Sequence, residues 1–312
     1  MTETGPLFVS SGDLIADRRY KWALDHAARG DFSDAADILV QTVALAPAFA
    51  TAWFALGAIR DRLGDRAGAI AAFEKARDTD PEDYHGARLQ LARLGSGDAT
   101  PAMTETYVRR LFDQYAARYD TALTEHLSYR GPALLRAAIE PAVQAAGRLR
   151  FASMLDLGCG TGLCGAVFRG IVDRLVGVDL SPAMVARAAS KGLYDRLVTA
   201  DVGDFLIEEA SQRAKYQLVV AADVFVYVND LASVFTAVAR VLMPGGLFAF
   251  TVETYAGDGV RLLPTLRYAH GEPYLRRTLA DSSLSLVSLT EAAVRFEKGV
   301  PVDSLVVVAQ AA

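Results

Sequence analysis

A glycine-rich loop between two apolar runs is the part of this sequence best suited to holding a nucleotide-like ligand. The loop spans residues 156–162, follows an apolar run at residues 150–157, and precedes a helix-forming segment at residues 163–171. Glycines allow the backbone to adopt positive φ and to approach a ligand closely. A second apolar run, at residues 175–178, ends at Asp179. An acid about 20 residues after such a loop can accept hydrogen bonds from ribose hydroxyls, so the pattern predicts a parallel strand–loop–helix–strand unit.

Two residues, Asp156 and Leu163, distinguish between the kinds of ligand site that such a loop can form. A dinucleotide-binding loop carries a third Gly or Ala where this chain has Leu163, and the string Asp-x-Gly-x-Gly-x-Gly begins here at Asp156. This string resembles the signature loop of class I S-adenosylmethionine-dependent methyltransferases. The resemblance implies an enzyme with S-adenosyl-L-methionine as its cofactor and an α/β, Rossmann-like, seven-stranded sheet. A nicotinamide-dependent oxidoreductase is the alternative for the loop.

Further segments resemble the same family in the expected order. Residues 179–184 are similar to the family's segment after the second strand, and residues 244–246 are similar to its Pro-Gly-Gly turn before the fifth strand. The resemblance covers residues 105–310. It implies that the loop and the residues following successive strands bind the cofactor, namely Asp156, Gly158, Cys159, Gly160, Asp179, Leu180, Met184, Asp201, Val202 and Ala222.

Residues 105–310 also predict the remaining strands of the sheet. We expect strands at residues 197–200, 216–222 and 247–253. Residues 284–296 and 304–309 are expected to form a closing antiparallel pair, joined through a turn at residues 298–301. Ligands of open α/β sheets bind outside the carboxyl ends of the parallel strands, so the site is expected at that edge.

Aromatic residues precede the glycine loop at helical spacing. Phe112, Tyr115 and Tyr119 lie within residues 107–119, and Arg130 follows. One interpretation is an amphipathic helix that packs on the domain. The other rests on a resemblance to small-molecule methyltransferases of the ubiquinone and biotin pathways, which carry a similar helix over the cofactor. That resemblance implies that Tyr115, Tyr119 and Arg130 contact the cofactor, with an Arg able to bind its methionine carboxylate through two parallel hydrogen bonds.

Residues beyond the fourth and fifth strands are the candidates for chemistry on the methyl acceptor. His270, Tyr227 and Glu253 are the predicted catalytic residues, and His270 is the best base because histidine titrates near neutrality. Plainer interpretations remain: Glu253 pairs with a nearby Arg, and His270 is a solvated loop residue. Further candidates are Arg267, Tyr268, Tyr274 and, on the aromatic-helix side, His126.

The predicted reaction is methyl transfer to oxygen or nitrogen of a small molecule. Arg267 favours an anionic acceptor such as a carboxylate, and a phenol is the other acceptor that we consider. A base is needed only if the acceptor must lose a proton. The alternative function is a cofactor-binding scaffold or regulatory protein that recognises a partner through N-terminal repeats.

The N-terminal third of the chain repeats itself. Three features recur at a spacing of about 34 residues, namely Gly30 and Gly64, Ala35 and Ala69, and Pro47 and Pro81. The second copy also carries Trp53, Leu56, Gly57 and Phe73, and it resembles the tetratricopeptide (TPR) consensus except that Arg60 stands where Tyr is usual. The repeats are expected to be helix pairs, with Trp53 and Phe73 in their core.

The repeats and the α/β region are expected to be separate domains. A third, capping helix is predicted at residues 84–94, and a linker of small, turn-forming residues follows at residues 95–101. We therefore expect a small all-α TPR-like domain at residues 1–100 and the methyltransferase domain at residues 101–312. The repeats are expected either to bind a protein partner or to dock on the catalytic domain.

Composition excludes several classes of partner. The chain has 312 residues, a net charge of −5 and no cluster of basic residues, which argues against nucleic-acid binding. No apolar stretch is long enough to span a membrane and no signal pattern opens the chain, so a cytoplasmic protein is expected. Cys159 and Cys164 are the only cysteines, and their spacing predicts no metal site.

Overall fold

The chain forms two compact units. The structure, a computed structural model, describes residues 8–99, 102–119, 128–145, 147 and 150–312. One unit comprises the chain up to Arg110 with Pro264–Leu266, and the other comprises Leu111–Leu263 with Arg267–Ala312. His126 and the last two residues of the predicted linker, Thr100 and Pro101, lie outside the described residues.

The first unit is helical. Its helices are α1 (Leu14–Arg29), α2 (Phe32–Leu45), α3 (Ala50–Arg62), α4 (Arg66–Thr79), α5 (Ala87–Arg93) and the beginning of α6 (Glu105–Tyr115). The capping helix α5 is shorter than predicted because Gly86, in the left-handed conformation with φ of 76°, stands at its N-cap.

The predicted repeat is present as two helix pairs, α1 with α2 and α3 with α4. Gly30 and Gly64 follow the first helix of each pair with φ of 89° and 78°, in the left-handed region that favours glycine. Gly57 lets α3 approach α4 closely, since a Cβ there would lie 2.7 Å from the Phe73 ring. Phe73 is fully buried as predicted, whereas Trp53 is half-buried and donates its indole N–H to a backbone carbonyl oxygen.

The second unit contains the sheet. Its strands are β1 (Phe151–Leu157), β2 (Val172–Asp179), β3 (Arg196–Thr199), β4 (Tyr216–Ala221), β5 (Leu242–Glu253), β6 (Val260–Leu262), β7 (Tyr268–His270), β8 (Leu284–Glu291), β9 (Phe296–Glu297), β10 (Val300–Pro301) and β11 (Ser304–Ala311). Its helices are the end of α6, α7 (Gly131–Ala145), α8 (Leu163–Phe168), α9 (Pro182–Ser190), α10 (Val202–Ser211), α11 (Ala232–Val241) and α12 (Glu272–Asp281).

The strand order confirms the predicted Rossmann-like fold. Seven strands form the main sheet in the order β3-β2-β1-β4-β5-β11-β8. Strands β1 to β5 are mutually parallel, and β11 is antiparallel to both β5 and β8. Two short strands that were not predicted, β6 and β7, extend it to nine by pairing beside β5.

Alternating side chains of the strands pack against helices on the two faces of the sheet. Leu155 and Leu157 of β1 join a core with Phe235 of α11, while the preceding residue, Met154, joins a core with Leu135 of α7. This alternation follows from the two-residue period of a strand. Because both faces are covered, the strands read as continuous apolar runs, as parallel strands do.

Two predicted boundaries were wrong for local reasons. Strand β8 ends at Glu291, because residues 296–297 pair with 300–301 in a separate hairpin. The turn of this hairpin consists of Lys298 and Gly299 alone. Both have positive φ, as a two-residue hairpin turn requires. Strand β5 begins before the Pro-Gly-Gly segment, and its pairing with β4 shifts register there.

No helix in the described part of the chain has the length and apolar character needed to cross a membrane.

A fragment comprising residues 103–312 is expected to fold and to bind S-adenosylhomocysteine nearly as tightly as the full chain. We propose a domain boundary near residue 100, and such a fragment keeps all of α6 and the whole sheet. Its affinity, measured by calorimetry beside the full chain, tests this independence. A soluble, folded fragment unable to bind would show that the repeats complete the site.

Candidate active site

The parallel strands bring four chain segments to one edge of the sheet. The chain runs from β1 outward to β3 on one side and then through β4 and β5 on the other, so the order reverses between β1 and β4. The carboxyl ends of β1, β2, β4 and β5 therefore lie at a common edge around this switch point. Such a switch point opens a crevice in which α/β proteins bind ligands.

The glycine loop follows β1 at this edge. Gly158, Gly160 and Gly162 all have positive φ, of 61°, 53° and 91°. A Cβ on Gly158 would lie 2.5 Å from the Val224 side chain, so this glycine is required for packing. Among the described residues, a Cβ on Gly160 would come within 4 Å of Tyr119 alone, at 3.8 Å, so none of them packs tightly over the loop at Gly160. The loop thus presents backbone to a ligand at Gly160.

Asp179 ends β2 directly beside the loop. Its carboxylate accepts hydrogen bonds from the Gly160 and Ser181 N–H groups, both at 2.8 Å. Burial raises the pKa of Asp179 to about 6 against these bonds, and the neighbouring Asp113 carboxylate raises it as well. Each carboxylate oxygen has accepted a single hydrogen bond from these two groups, so each retains a lone pair for a ligand hydroxyl.

Asp156 is buried beneath the loop. Its carboxylate accepts a hydrogen bond of 2.6 Å from the Tyr194 hydroxyl, and burial raises its pKa to about 7. The Tyr194 hydroxyl in turn accepts the Gly165 N–H at 3.1 Å. A Cβ on Gly165 or Gly177 would lie under 3.0 Å from the Tyr194 ring. Asp156 and Tyr194 thus support the loop from below, a role for Tyr194 that the sequence analysis missed.

The other predicted cofactor residues occupy neighbouring turns. Asp201 is the N-cap of α10 and accepts the Gly203 and Asp204 N–H groups at 2.7 and 3.2 Å. Met184 and Cys159 are buried, and burial raises the pKa of the Cys159 thiol well above its usual value. Three more are partly exposed at the same edge, namely Leu180, Val202 and Ala222.

The predicted aromatic helix lies over this edge through its C-terminal half. Phe112 packs against Tyr227 with ring centroids 5.2 Å apart, and Tyr119 contacts both Phe112 and Tyr115 edge-on, at 6.1 and 6.4 Å. Asp113 accepts the Ser181 hydroxyl at 2.5 Å, directly beyond Asp179. Residues 111–119 therefore cover the glycine loop with aromatic rings.

Arg130 and its neighbour Tyr129 differ in their exposure to solvent. Arg130 is exposed, and its backbone N–H donates to the Val294 carbonyl oxygen at 2.8 Å. Burial raises the pKa of Tyr129 well above its usual value, and Asp223 and Tyr119 lie near enough to raise it further. The Tyr129 phenol therefore lies within electrostatic range of Asp223.

His270 is not the solvated loop residue of the plainer interpretation. It lies in β7 and is fully buried, with Nε2 donating to the Val228 carbonyl oxygen at 3.0 Å. Burial lowers its pKa to about 4, and Nδ1 has no hydrogen-bond partner among the described residues. Its ring stacks on Tyr274, whose hydroxyl accepts the Leu231 N–H. The neutral ring has a structural contact here, and its role as a base stays a prediction.

Glu253 belongs to a buried cluster of charges at the end of β5. It binds Arg295 and lies 3.5 Å from Arg267, as the plainer interpretation held. Arg267 also binds Glu297, and Arg295 also binds Asp223. Burial raises the pKa of Glu253, while the two guanidiniums oppose that rise. Tyr227 lies beside the cluster, and burial raises the pKa of its phenol.

Sequence reasoning missed three members of this cluster, Asp223, Arg295 and Glu297. Asp223 follows the predicted fourth strand and was not singled out. Arg295 fell within the predicted strand at residues 284–296, and Glu297 fell between that strand and the predicted turn at residues 298–301. Asp223 and Arg295 are separated by 72 residues. Asp223 has a positive φ of 61°, and nothing in the sequence Asp223-Val224 predicts this backbone conformation.

A cavity of about 710 Å³ opens farther along the same edge. Residues following β5, including Thr254 and Tyr255, form one wall, and the start of α12 and the ends of β8 and β11 form the others. Glu272, Glu291 and Asp303 contribute carboxylates to its lining. Among the described residues, no group of three His, Cys, Asp or Glu side chains is arranged to hold a metal ion.

Comparison with known families identifies both parts of the chain. Residues 155–250 match the family model for the methyltransferase domain, and residues 50–83 match that for the tetratricopeptide repeat. The chain therefore carries a methyltransferase domain behind a tetratricopeptide repeat. The prediction of an S-adenosylmethionine-dependent methyltransferase fused to such repeats is confirmed.

Solved structures share the fold of the second unit at low sequence identity. Magnesium protoporphyrin IX methyltransferase from Synechocystis PCC 6803, with bound S-adenosylhomocysteine, is 18% identical with a TM-score of 0.52, covering 67% of this chain and 99% of its own. An N-methyltransferase from Bradyrhizobium japonicum WM9 is 17% identical with a TM-score of 0.50, covering 65% and 97%. The 1,6-didemethyltoxoflavin-N1-methyltransferase from Burkholderia thailandensis is 20% identical with a TM-score of 0.50, covering 65% and 87%. The search of curated protein sequences gave no match.

Proposed function

We propose that this chain transfers a methyl group from S-adenosyl-L-methionine to a small-molecule acceptor. One observation carries the proposal: the Asp179 carboxylate binds the Gly160 N–H at the switch point of the sheet, under the aromatic rings of residues 111–119. This combination offers a ribose-binding acid, an open backbone surface and an aromatic cover in one place. S-adenosylmethionine supplies an electrophilic methyl group, and the protein supplies its placement.

The residues present fit this cofactor. Gly160 carries no side chain over the loop, and Tyr119 is the one described residue that a Cβ there would approach within 4 Å. Asp179 is suited to the ribose hydroxyls, since both of its oxygens retain a lone pair beside their backbone partners. Asp201, at the next strand end, is suited to a polar edge of the adenine. Asp156 is proposed to act on the cofactor through the loop, which it supports by its hydrogen bond from Tyr194.

The repeats are assigned a separate role. A tetratricopeptide repeat at residues 50–83 makes a protein partner the plainest ligand of the first unit. The cavity of about 710 Å³ does not bear on the alternative of a non-catalytic scaffold, because none of the predicted cofactor-binding residues lines it. The proposal of an anionic acceptor loses its basis in Arg267, because Glu253 and Glu297 already balance that guanidinium.

The class of ligand is tested by thermal unfolding with S-adenosylhomocysteine and with NAD in parallel. Stabilisation by S-adenosylhomocysteine alone is expected, because a ligand that binds only the native state raises the unfolding temperature. Stabilisation by NAD alone would replace the proposal with the oxidoreductase alternative.

The Asp179→Ala variant is expected to bind S-adenosylhomocysteine more weakly by about 1–3 kcal/mol, the usual effect of losing a buried hydrogen-bond partner. Calorimetry measures the change. Asp173→Ala is the matched control, since Asp173 lies on the same strand with an exposed side chain bound to Arg150. Equal affinities of the two variants would remove Asp179 from the binding site.

A further inference from the structure

Residues 111–119, which we name the aromatic cover, bury little apolar surface at the edge of the sheet. No residue of α6 is buried, and Ala116 is the single buried residue of the cover. Phe112 packs edge-on against Tyr227, with ring centroids 5.2 Å apart. Because the burial of apolar surface is small, the polar contacts of this segment contribute more than usual to holding it in place.

Asp113 makes the polar contact between the aromatic cover and the segment that follows β2. Its carboxylate oxygen Oδ1 accepts the Ser181 hydroxyl at 2.5 Å and the Ala183 N–H at 3.3 Å. Within the described part of the chain, it is the one side chain of the cover that forms a hydrogen bond to another segment. Hydrogen bonds to a carboxylate are roughly twice as strong as those between neutral groups. Asp113 is therefore the principal polar attachment of the cover.

The N-terminus of α9 provides a place for this carboxylate. Pro182 has no N–H, and the Met184 N–H donates to the Ser181 hydroxyl oxygen at 3.1 Å. The Ala183 N–H remains, and Asp113 accepts it. The helix dipole also favours a negative charge at this end of a helix. The first turn of α9 is thus completed by a carboxylate that comes from the aromatic cover.

Ser181 also connects Asp113 to the proposed ribose-binding acid. The Ser181 N–H donates to Asp179, which in turn accepts the Gly160 N–H, both at 2.8 Å. A chain of three hydrogen bonds therefore runs from the glycine loop through Asp179 and Ser181 to Asp113. Tyr119, at the end of the cover, lies 3.8 Å from the position of a Cβ on Gly160. The cover and the glycine loop are thus both attached to the end of β2.

We propose that Asp113 is a positioning residue that holds the aromatic cover closed over the bound cofactor. The inference rests on the proposed function and adds to it the residue that controls release of the cofactor. Segments that cover an active site open to exchange ligands, and their opening can set the rate of release. Opening of the cover breaks both hydrogen bonds of Asp113, whereas a ligand held beneath the cover favours the closed arrangement. Loss of Asp113 is therefore expected to shorten the lifetime of the complex.

The dissociation rate of S-adenosylhomocysteine, measured by surface plasmon resonance on the immobilised protein, tests this role. Asp113→Ala is expected to release the ligand at least about tenfold faster than the wild-type protein, the effect of losing a charge-assisted hydrogen bond. Asp113→Asn keeps an oxygen acceptor without the charge, so its rate is expected to return to within about threefold of the wild-type rate. Rescue of this kind distinguishes a positioning hydrogen bond from a general loss of packing.

Amide hydrogen exchange measures the opening of the cover itself. In the wild-type protein, exchange within residues 111–119 is expected to slow when S-adenosylhomocysteine binds. Asp113→Ala is expected to exchange faster in these residues, with and without the ligand, while exchange in β4 stays unchanged. Exchange in a central strand reports on global unfolding, so this contrast separates local opening from a loss of overall stability.

Glu105→Ala is the matched control, because Glu105 lies in the same helix and its exposed carboxylate binds Arg109 within that helix. Its dissociation rate is expected to equal that of the wild-type protein. An unchanged rate in a folded Asp113→Ala would overturn the role of Asp113. Wild-type exchange in residues 111–119 that the ligand does not slow would overturn it too, even if the variant fails to fold. Failure of the wild-type protein to bind S-adenosylhomocysteine would instead reject the proposed function, and this role with it.

Discussion

The Gly160→Val variant is expected to lose S-adenosylhomocysteine binding, with an affinity lowered by more than about 100-fold. Gly160 has a φ of 53°, where a β-branched residue is strained. A Cβ there would also project over the loop, where Tyr119 is the nearest of the described residues, at 3.8 Å. The ligand and the valine side chain would compete for that space, and the N–H bond to Asp179 would be disturbed. Calorimetric titration measures the loss.

Gly192→Val is the matched control for backbone strain. Gly192 follows α9 with a φ of 63°, and a Cβ there would meet no described residue within 4 Å. This variant has the same conformational cost as Gly160→Val but no side chain in the proposed site. It is expected to unfold at a lower temperature while keeping its affinity. Unchanged titration by Gly160→Val would show that the cofactor does not approach the loop at this residue.

The Arg295→Met variant is expected to lower the free energy of unfolding by about 3–5 kcal/mol. Arg295 is 1% exposed and binds Asp223, Glu253 and Glu297. Methionine fills a similar volume but leaves three carboxylates at the end of β5 with Arg267 as their remaining guanidinium. Removing one partner of a buried ion pair is costly because the other charge stays buried without compensation. Urea unfolding measures the difference.

Arg277→Met is the control for this loss. Arg277 pairs with Asp258 through two hydrogen bonds, but both side chains are exposed to solvent. Exposed pairs contribute little because water and salt screen them, so no measurable change in unfolding is expected. If Arg295→Met behaved like Arg277→Met, the cluster would not be the tightly coupled network that its contacts indicate.

Patterns that are contiguous in the chain were predicted well. Three such patterns depend on local spacing, namely the 34-residue repeat, the loop at residues 156–162 and the acid that ends β2. They can be recognised because the periods of helices, turns and strands appear in the spacing of neighbouring residues. The parallel strand–loop–helix–strand unit was predicted from the same spacing, because parallel strands joined by a helix form right-handed units. The first helix pair was recognised from its spacing, although only residues 50–83 match the repeat family.

Roles that depend on distant contacts were decided by the tertiary structure. Asp156 was assigned to the cofactor, yet its carboxylate binds Tyr194, 38 residues away, beneath the loop. His270 was read as a loop residue, yet β7 pairs beside β5 and buries it. The sequence by itself determined which kind of domain this is and where its glycine loop lies. Only the tertiary structure joined Asp223 to Arg295, because ion pairing across 72 residues depends on strand order and a left-handed turn that no local pattern encodes.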